Sequence, residues 1–323
     1  MIFFREKLFW TLVMLLVLTL HSCAQVKKSC IAYTIPEKNL IPEGITFSSS
    51  TNCFYISSIY KGKIVSVDAE TGLVKDFMHS DSLNMSFLGM ITDERERTLW
   101  ACGNMKKDGR SVSCIAKFSL KTGDLLRVYS LNSPLTSLYN DLVQDDNKNI
   151  FFTDSRNHAV YVIEAKSDTI ALFYNGEEIT HPNGITISPD NKYLYIASTD
   201  KGVRTLDIQN RKIVDSLCTS INSTGIDGLK FFNKNLIGIQ NAVKNHEEIN
   251  ISVYYLDESG TSIVRKSPID LNNPLFDIPT TFVFVGKSLY CIANSQLKNF
   301  NASSFKIINE DILQDITILK YEL

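Results

Sequence analysis

Residues 181–195 read His181-Pro182-Asn183-Gly184-Ile185-Thr186-Ile187-Ser188-Pro189-Asp190-Asn191-Lys192-Tyr193-Leu194-Tyr195. An Asn-Gly step opens a β-branched run, Ser-Pro-Asp-Asn supplies turn chemistry, and an aromatic run follows. The stretch therefore predicts two short antiparallel strands joined by a tight turn. The same layout recurs along the chain. Its opening unit appears as Pro42-Glu43-Gly44-Ile45, Leu88-Gly89-Met90-Ile91, Asn140-Asp141-Leu142-Val143, Asn183-Gly184-Ile185-Thr186, Asp227-Gly228-Leu229-Lys230 and Pro279-Thr280-Thr281-Phe282. Equivalent positions 44, 89, 141, 184, 228 and 281 are 43 to 53 residues apart. A second strand follows each unit: Phe54-Tyr55-Ile56, Leu99-Trp100-Ala101, Ile150-Phe151-Phe152, Tyr193-Leu194-Tyr195, Leu236-Ile237-Gly238 and Leu289-Tyr290-Cys291.

Six copies of a roughly four-stranded unit at this period predict an all-β six-bladed β-propeller, because one blade alone leaves both of its faces uncovered and stacking buries them. Long amphipathic helical stretches are missing from the chain after its first residues, which argues against α/β and helical-solenoid folds. The predicted domain spans residues 30–323. Its ring closes when the opening segment Cys30–Ile35 and the terminal Asp315–Leu323 complete one blade from both chain ends, which removes the free sheet edges and makes a monomer the expected state.

The chain has 323 residues, 44% hydrophobic and 21% charged, enough apolar content for a full core. Lys and Arg number 33 against 35 Asp and Glu, with no long run of either sign, so no electrostatic footprint for nucleic acid exists. Residues 1–23 place Arg5 and Lys7 before an apolar run from Leu8 to Leu20, followed by Ser22 and Cys23. This is the layout of a signal peptide, too short for a comfortable membrane span. Leu20-His21-Ser22-Cys23 resembles a bacterial lipobox with Cys23 as the lipidated residue, and cleavage after Ala24 is the alternative. The expectation is an exported protein, either periplasmic or attached to the outer membrane through a lipid anchor alone. The remaining cysteines are irregularly spaced and form no zinc or disulfide framework. Cys102 and Cys114 are read as buried thiols, with a bridge across the hairpin at Lys107-Asp108-Gly109 as the alternative.

In a propeller the innermost strand of each blade starts near the axis, so the first residues of the six units, Glu43, Leu88, Asn140, Asn183, Asp227 and Thr280, are expected to meet there. Glu43 and Asp227 bring carboxylates, and Asn140 and Asn183 bring carboxamide carbonyls. That hard-oxygen set suits a calcium ion, and no thiolate or histidine cluster suits zinc. Taken singly, each residue is a common turn former. Two carboxylates buried together without a cation, however, incur desolvation and like-charge repulsion.

Pro42-Glu43-Gly44, Tyr139-Asn140-Asp141, His181-Pro182-Asn183-Gly184-Ile185 with Ser188-Pro189-Asp190, and Ile226-Asp227-Gly228-Leu229 resemble the family of senescence marker protein, gluconolactonase and luciferin-regenerating enzyme, within the wider group of strictosidine-synthase-like and paraoxonase-like propellers. The resemblance spans about residues 35–300. It implies that Glu43, Asn140, Asn183 and Asp227 hold one axial calcium, and that Asp227 is the candidate catalytic base or nucleophile. The implied activity is calcium-dependent hydrolysis of a sugar lactone or small ester. Weaker substrate candidates on the rim are Asn104, Asp154, His181, Asn241 and Thr280, with His246 and Asn294 beside them. Gly44-Ile45-Thr46-Phe47 departs from the Gly-Pro-x-Trp usual in gluconolactonases, which keeps open a non-catalytic propeller that binds a small ligand, glycan or protein partner at its mouth.

Overall fold

The computed structural model describes residues 29–78, 85–107, 110–131, 135–216, 220–241 and 248–323. The segment read as a signal peptide, with Cys23, the turn at Asp108-Gly109, Cys218 and His246 lie outside the described residues. Six four-stranded antiparallel sheets form the blades of a β-propeller. From the inside outward, blade 1 comprises Pro42–Ser48, Cys53–Ser58, Ile64–Asp68 and Val74–Asp76. Blade 2 comprises Met85–Asp93, Thr98–Lys107, Arg110–Ser119 and Leu125–Tyr129. Blades 3 and 4 begin at Tyr139–Gln144 and Pro182–Ile187, and blade 5 begins at Ile226–Phe232. Turn residues act as predicted: Asn191 takes the left-handed conformation (φ 56°), and the Ser188 amide closes the hairpin on the Tyr193 carbonyl at 2.9 Å.

Blade 6 is assembled from both ends of the chain. Its inner strands are Phe282–Val285 and Ser288–Ile292, its third is the terminal Ile316–Glu322, and its outermost is Cys30–Ile35. The closing pair is antiparallel, running from Cys30 opposite Lys320 to Ile35 opposite Ile316. This is the closure that the sequence predicts.

Six apolar clusters are found among the described residues, and each fills a gap between neighbouring blades. Tyr55 and Ile64 of blade 1 pack with Phe87 and Leu99 of blade 2, for example, while Phe54 and Ile56 pack with Ile292 and Ile318 of blade 6. Second strands are covered on both faces, as in Tyr193–Ser198, which is buried throughout, while outermost strands such as Val74–Asp76 are partly exposed. Cys102 lies opposite Ile115 and Cys114 opposite Gly103, so the two thiols project to opposite faces of blade 2 and both are free.

The innermost strands share one irregularity that matters for the axis. In five blades two residues of the inner strand oppose a single residue of the second strand: Glu43-Gly44 over Ser57, Leu88-Gly89 over Cys102, Asn140-Asp141 over Thr153, Asn183-Gly184 over Ala197 and Asp227-Gly228 over Ile239. Such a β-bulge takes the residue out of the ladder and re-aims its side chain. In blade 6 the equivalent Thr280-Thr281 precede the strand.

Candidate metal centre

The bulged residues follow one another around the axis through close backbone contacts. A Cβ built on Gly44 would lie 2.2 Å from the Leu88 carbonyl oxygen, and one on Gly184 would lie 2.3 Å from that of Asp227. Gly89 meets the Asn140 carbonyl and Gly228 that of Thr280 in the same way. The second member of each Xaa-Gly unit is thus glycine because the next blade's backbone occupies the space of a side chain. Where glycine is replaced, hydroxyls bridge the joint. Thr153 donates to the Asn183 carbonyl at 2.8 Å, and Thr280 and Thr281 both donate to the Glu43 carbonyl, at 2.8 and 2.7 Å.

The four residues read as ligands sit on these bulges, where the Asn183 amide reaches the Asp227 carboxylate and the Asp227 charge acts on Glu43. Glu43, Asn140 and Asp227 are buried, and Asn183 is half-buried. The Asp227 carboxylate is held by the amides of Asn183 and Asn241, the latter at 2.6 Å from Oδ2. The Asn140 amide donates to Ser155 Oγ at 3.1 Å. Few buried side-chain polar atoms among the described residues have no hydrogen-bond partner, and four of them are Glu43 Oε2, Asn140 Oδ1, Asn183 Oδ1 and Asp227 Oδ1. Each predicted ligand therefore leaves one buried acceptor oxygen without a donor. A buried acceptor with no donor is costly, and these four on the inner bulges of blades 1, 3, 4 and 5 are the candidate ligands of a cation.

Electrostatics point the same way. Burial, and then the nearby charges of Asp227 and Asp141, push the Glu43 carboxyl well above its ordinary range. The Asp227 carboxyl is raised by burial and by Asp141, with the Asn183 and Asn241 amides opposing the rise. Burial and neighbouring negative charge thus disfavour ionisation of both carboxyls, and a cation between them would stabilise the anions. The donor set is two carboxylates and two carboxamides, a hard-oxygen set fitting calcium or magnesium. Among the described residues no group of three or more His, Cys, Asp or Glu is arranged to hold a metal, because half of this set is asparagine.

The remaining candidates fall elsewhere. Leu88 completes the ring with an apolar side chain. Thr280 is fully buried and spent on the Glu43 carbonyl. Asp154, also fully buried, caps the turn after its strand by accepting from the amides of Leu138, Arg156 and Asn157 and from the Asn157 side chain. Asn104 accepts from Ser113 at 2.6 Å. Asn294 ties the closing blade to Asp315 and Thr317. His181 is exposed, 2.9 Å from Asp200 and packed against the His158 ring. Sequence reasoning missed Ser57, Thr153, Ser155 and Lys230, which support the ring. The signal available was the polar residue at the end of each second strand, as in Ile56-Ser57-Ser58 and Phe152-Thr153-Asp154-Ser155.

A sequence profile described as the SMP-30/Gluconolactonase/LRE-like region matches residues 41–216, more than half of the chain. No curated protein matches in sequence. Similar solved structures include a gluconolactonase from Xanthomonas campestris, at TM-score 0.60 and 13% identity over 93% of this chain and 93% of that one. The calcium-binding protein regucalcin from Agrobacterium tumefaciens superposes at TM-score 0.59 and 13% identity, covering 90% and 94%. The major allergen Mala s 1 of Malassezia sympodialis superposes at TM-score 0.65 and 16% identity, covering 90% and 94%. At these identities the likeness is one of fold.

Proposed function

The chain belongs to the SMP-30/gluconolactonase/LRE-like family, and from that premise we propose that it is a calcium-dependent hydrolase of the lactonase class, acting on a sugar lactone or small ester at the axial mouth. The observation that carries this reading is the set of four donor-less oxygens on Glu43, Asn140, Asn183 and Asp227. Those residues would hold the ion. A bound calcium supplies Lewis acidity that polarises a carbonyl oxygen. Asp227 is assigned as the general base, with the amides of Asn183 and Asn241 fixing the plane of its carboxylate. Burial of the surrounding bulges keeps bulk water from competing for the same oxygens.

Asp227→Asn assayed on a lactone panel, with and without chelator, tests the reading. Loss of turnover in the variant and in the chelated wild type supports it, and unchanged turnover in both ends it.

A second reading is favoured by the fate of the rim. Asp154, Thr280 and Asn294 are all engaged in holding backbone. Few polar groups are then left to orient a substrate, as a non-catalytic propeller that binds a ligand or partner with a stabilising ion would allow. That reading expects chelation to lower the melting temperature with no hydrolysis of any lactone.

We also propose export, with attachment through Cys23 to the membrane surface. Cys23→Ser is expected to move the protein from the membrane to the soluble fraction, and an unchanged distribution overturns the anchor.

A further inference from the structure

Beyond the cage along the axis, the later residues of the inner strands line a cavity of about 240 Å³, with Ile45, Met90, Leu142, Phe231 and Val283 among its walls. Among the residues that line it, Lys230 alone carries a charge. Its ammonium nitrogen lies 3.2 Å from Oδ2 of Asp141, whose side chain is 4% exposed. The other Asp141 oxygen accepts the Leu142 amide at 2.9 Å. Asp141 thus differs from its neighbours: each ligand of the cage keeps an oxygen without a donor, while both oxygens of Asp141 are satisfied. The charges of Asp227, Asp141 and Lys230 all act on the buried Glu43 carboxyl, the first two opposing its ionisation and the last favouring it.

The charge count of that cluster is simple. Glu43, Asp227 and Asp141 bring three negative charges and Lys230 brings one positive, leaving two negative charges to be met by the bound ion. Without Lys230 the cluster would offer three, and Asp141, still accepting the Leu142 and Ile185 amides, would be a carboxylate without a counter-charge next to Asn140.

We infer that Lys230 is a built-in counter-cation that sets the axial cage as a single divalent site, occupying Asp141 so that this carboxylate neither joins the cage nor holds a second ion in the tunnel. The inference rests on the reading of the cage as a cation site and adds which residue determines its charge preference and stoichiometry. Lys230 is a specificity-determining residue here; it lies in the tunnel rather than at the mouth. A lysine serving stability alone would leave ion preference unmoved.

The test titrates the full chain with calcium by calorimetry and with terbium by luminescence, in wild type, Lys230→Met, Lys230→Arg, Asp141→Asn and the Lys230→Met/Asp141→Asn double variant. Wild type and Lys230→Arg are expected to bind one calcium. Lys230→Met is expected either to favour terbium over calcium by at least about tenfold more than wild type or to take a second calcium, because the trivalent ion meets the added charge. Asp141→Asn moves the other way, weakening calcium by about tenfold, because the Lys230 charge then opposes the ion. The double variant returns towards wild type. If Lys230→Met does not fold, Asp141→Asn decides alone, and calcium affinity equal to wild type there overturns the inference. Wild-type stoichiometry and ion preference in a folded Lys230→Met also overturn it. If wild type binds neither ion but Lys230→Met does, the cage reading fails and Lys230 is shown to be the resident cation; if no variant binds either ion, both readings fall.

Discussion

The side-chain amide of Asn241 lies 2.6 Å from Oδ2 of Asp227, so the carboxylate is held from one side and its other oxygen is left for the axis. Asn241 follows the second strand of its blade and reaches back to the bulge of the first. Asn241→Ala removes a donor from a buried carboxylate, a loss of about 1–3 kcal/mol. The expected result is calcium affinity weakened by about tenfold with the fold retained, read by calorimetric titration and circular dichroism.

Metal removal should be pH-dependent. Glu43 and Asp227 have folded-state pKa values raised by burial and by neighbouring carboxylates. In the metal-free chain these groups bind more protons folded than unfolded, so the stability they contribute is present below the ordinary carboxylate range and is lost as pH rises through the raised values. The melting-temperature gap between calcium-loaded and chelated protein is therefore expected to be small near pH ~5 and to widen by roughly 5 °C towards pH ~8. Thermal melts across that range check it.

Gly184→Ala would set a methyl group 2.3 Å from the Asp227 carbonyl oxygen, an atom that cannot swing away. A loss of at least about 2 kcal/mol is expected, with weakened calcium binding because the Asp227 bulge is displaced. Chemical denaturation and calcium titration of the same variant report both effects.

Ending the chain at residue 315 removes the third strand of blade 6, including the fully buried Ile316, Leu319 and Tyr321. Cys30–Ile35 then has no partner and the ring has open edges. The truncated chain is expected to lose cooperative unfolding and to aggregate, as read by calorimetry and light scattering.

Burial pushes the Cys102 thiol well up and the Cys114 thiol up to about 12. Both are expected to resist maleimide in the native state and to react fully in denaturant, with no mass change on reduction, because they face opposite sides of their sheet.

Much of the fold was legible in local pattern. Each predicted second strand, from Phe54-Tyr55-Ile56 to Leu289-Tyr290-Cys291, lies inside an observed one, because turn chemistry and β-branched runs act over a few residues. Closure by the two chain ends was legible because a propeller must satisfy its edges. Asn241, Asp154 and Thr280 were legible only as polar residues near the mouth. Their hydrogen bonds depend on where a bulge re-aims a side chain, and sequence spacing does not encode that.

By itself the sequence determined six blades, their order and the unit that marks each inner strand, since a repeat of turn and strand signals acts locally and the same unit refolds six times. Tertiary structure alone decided which oxygens are left without donors and that Lys230 reaches Asp141 across 89 residues of chain. Those outcomes depend on blades meeting around an axis, where each residue's partner is chosen by position in space.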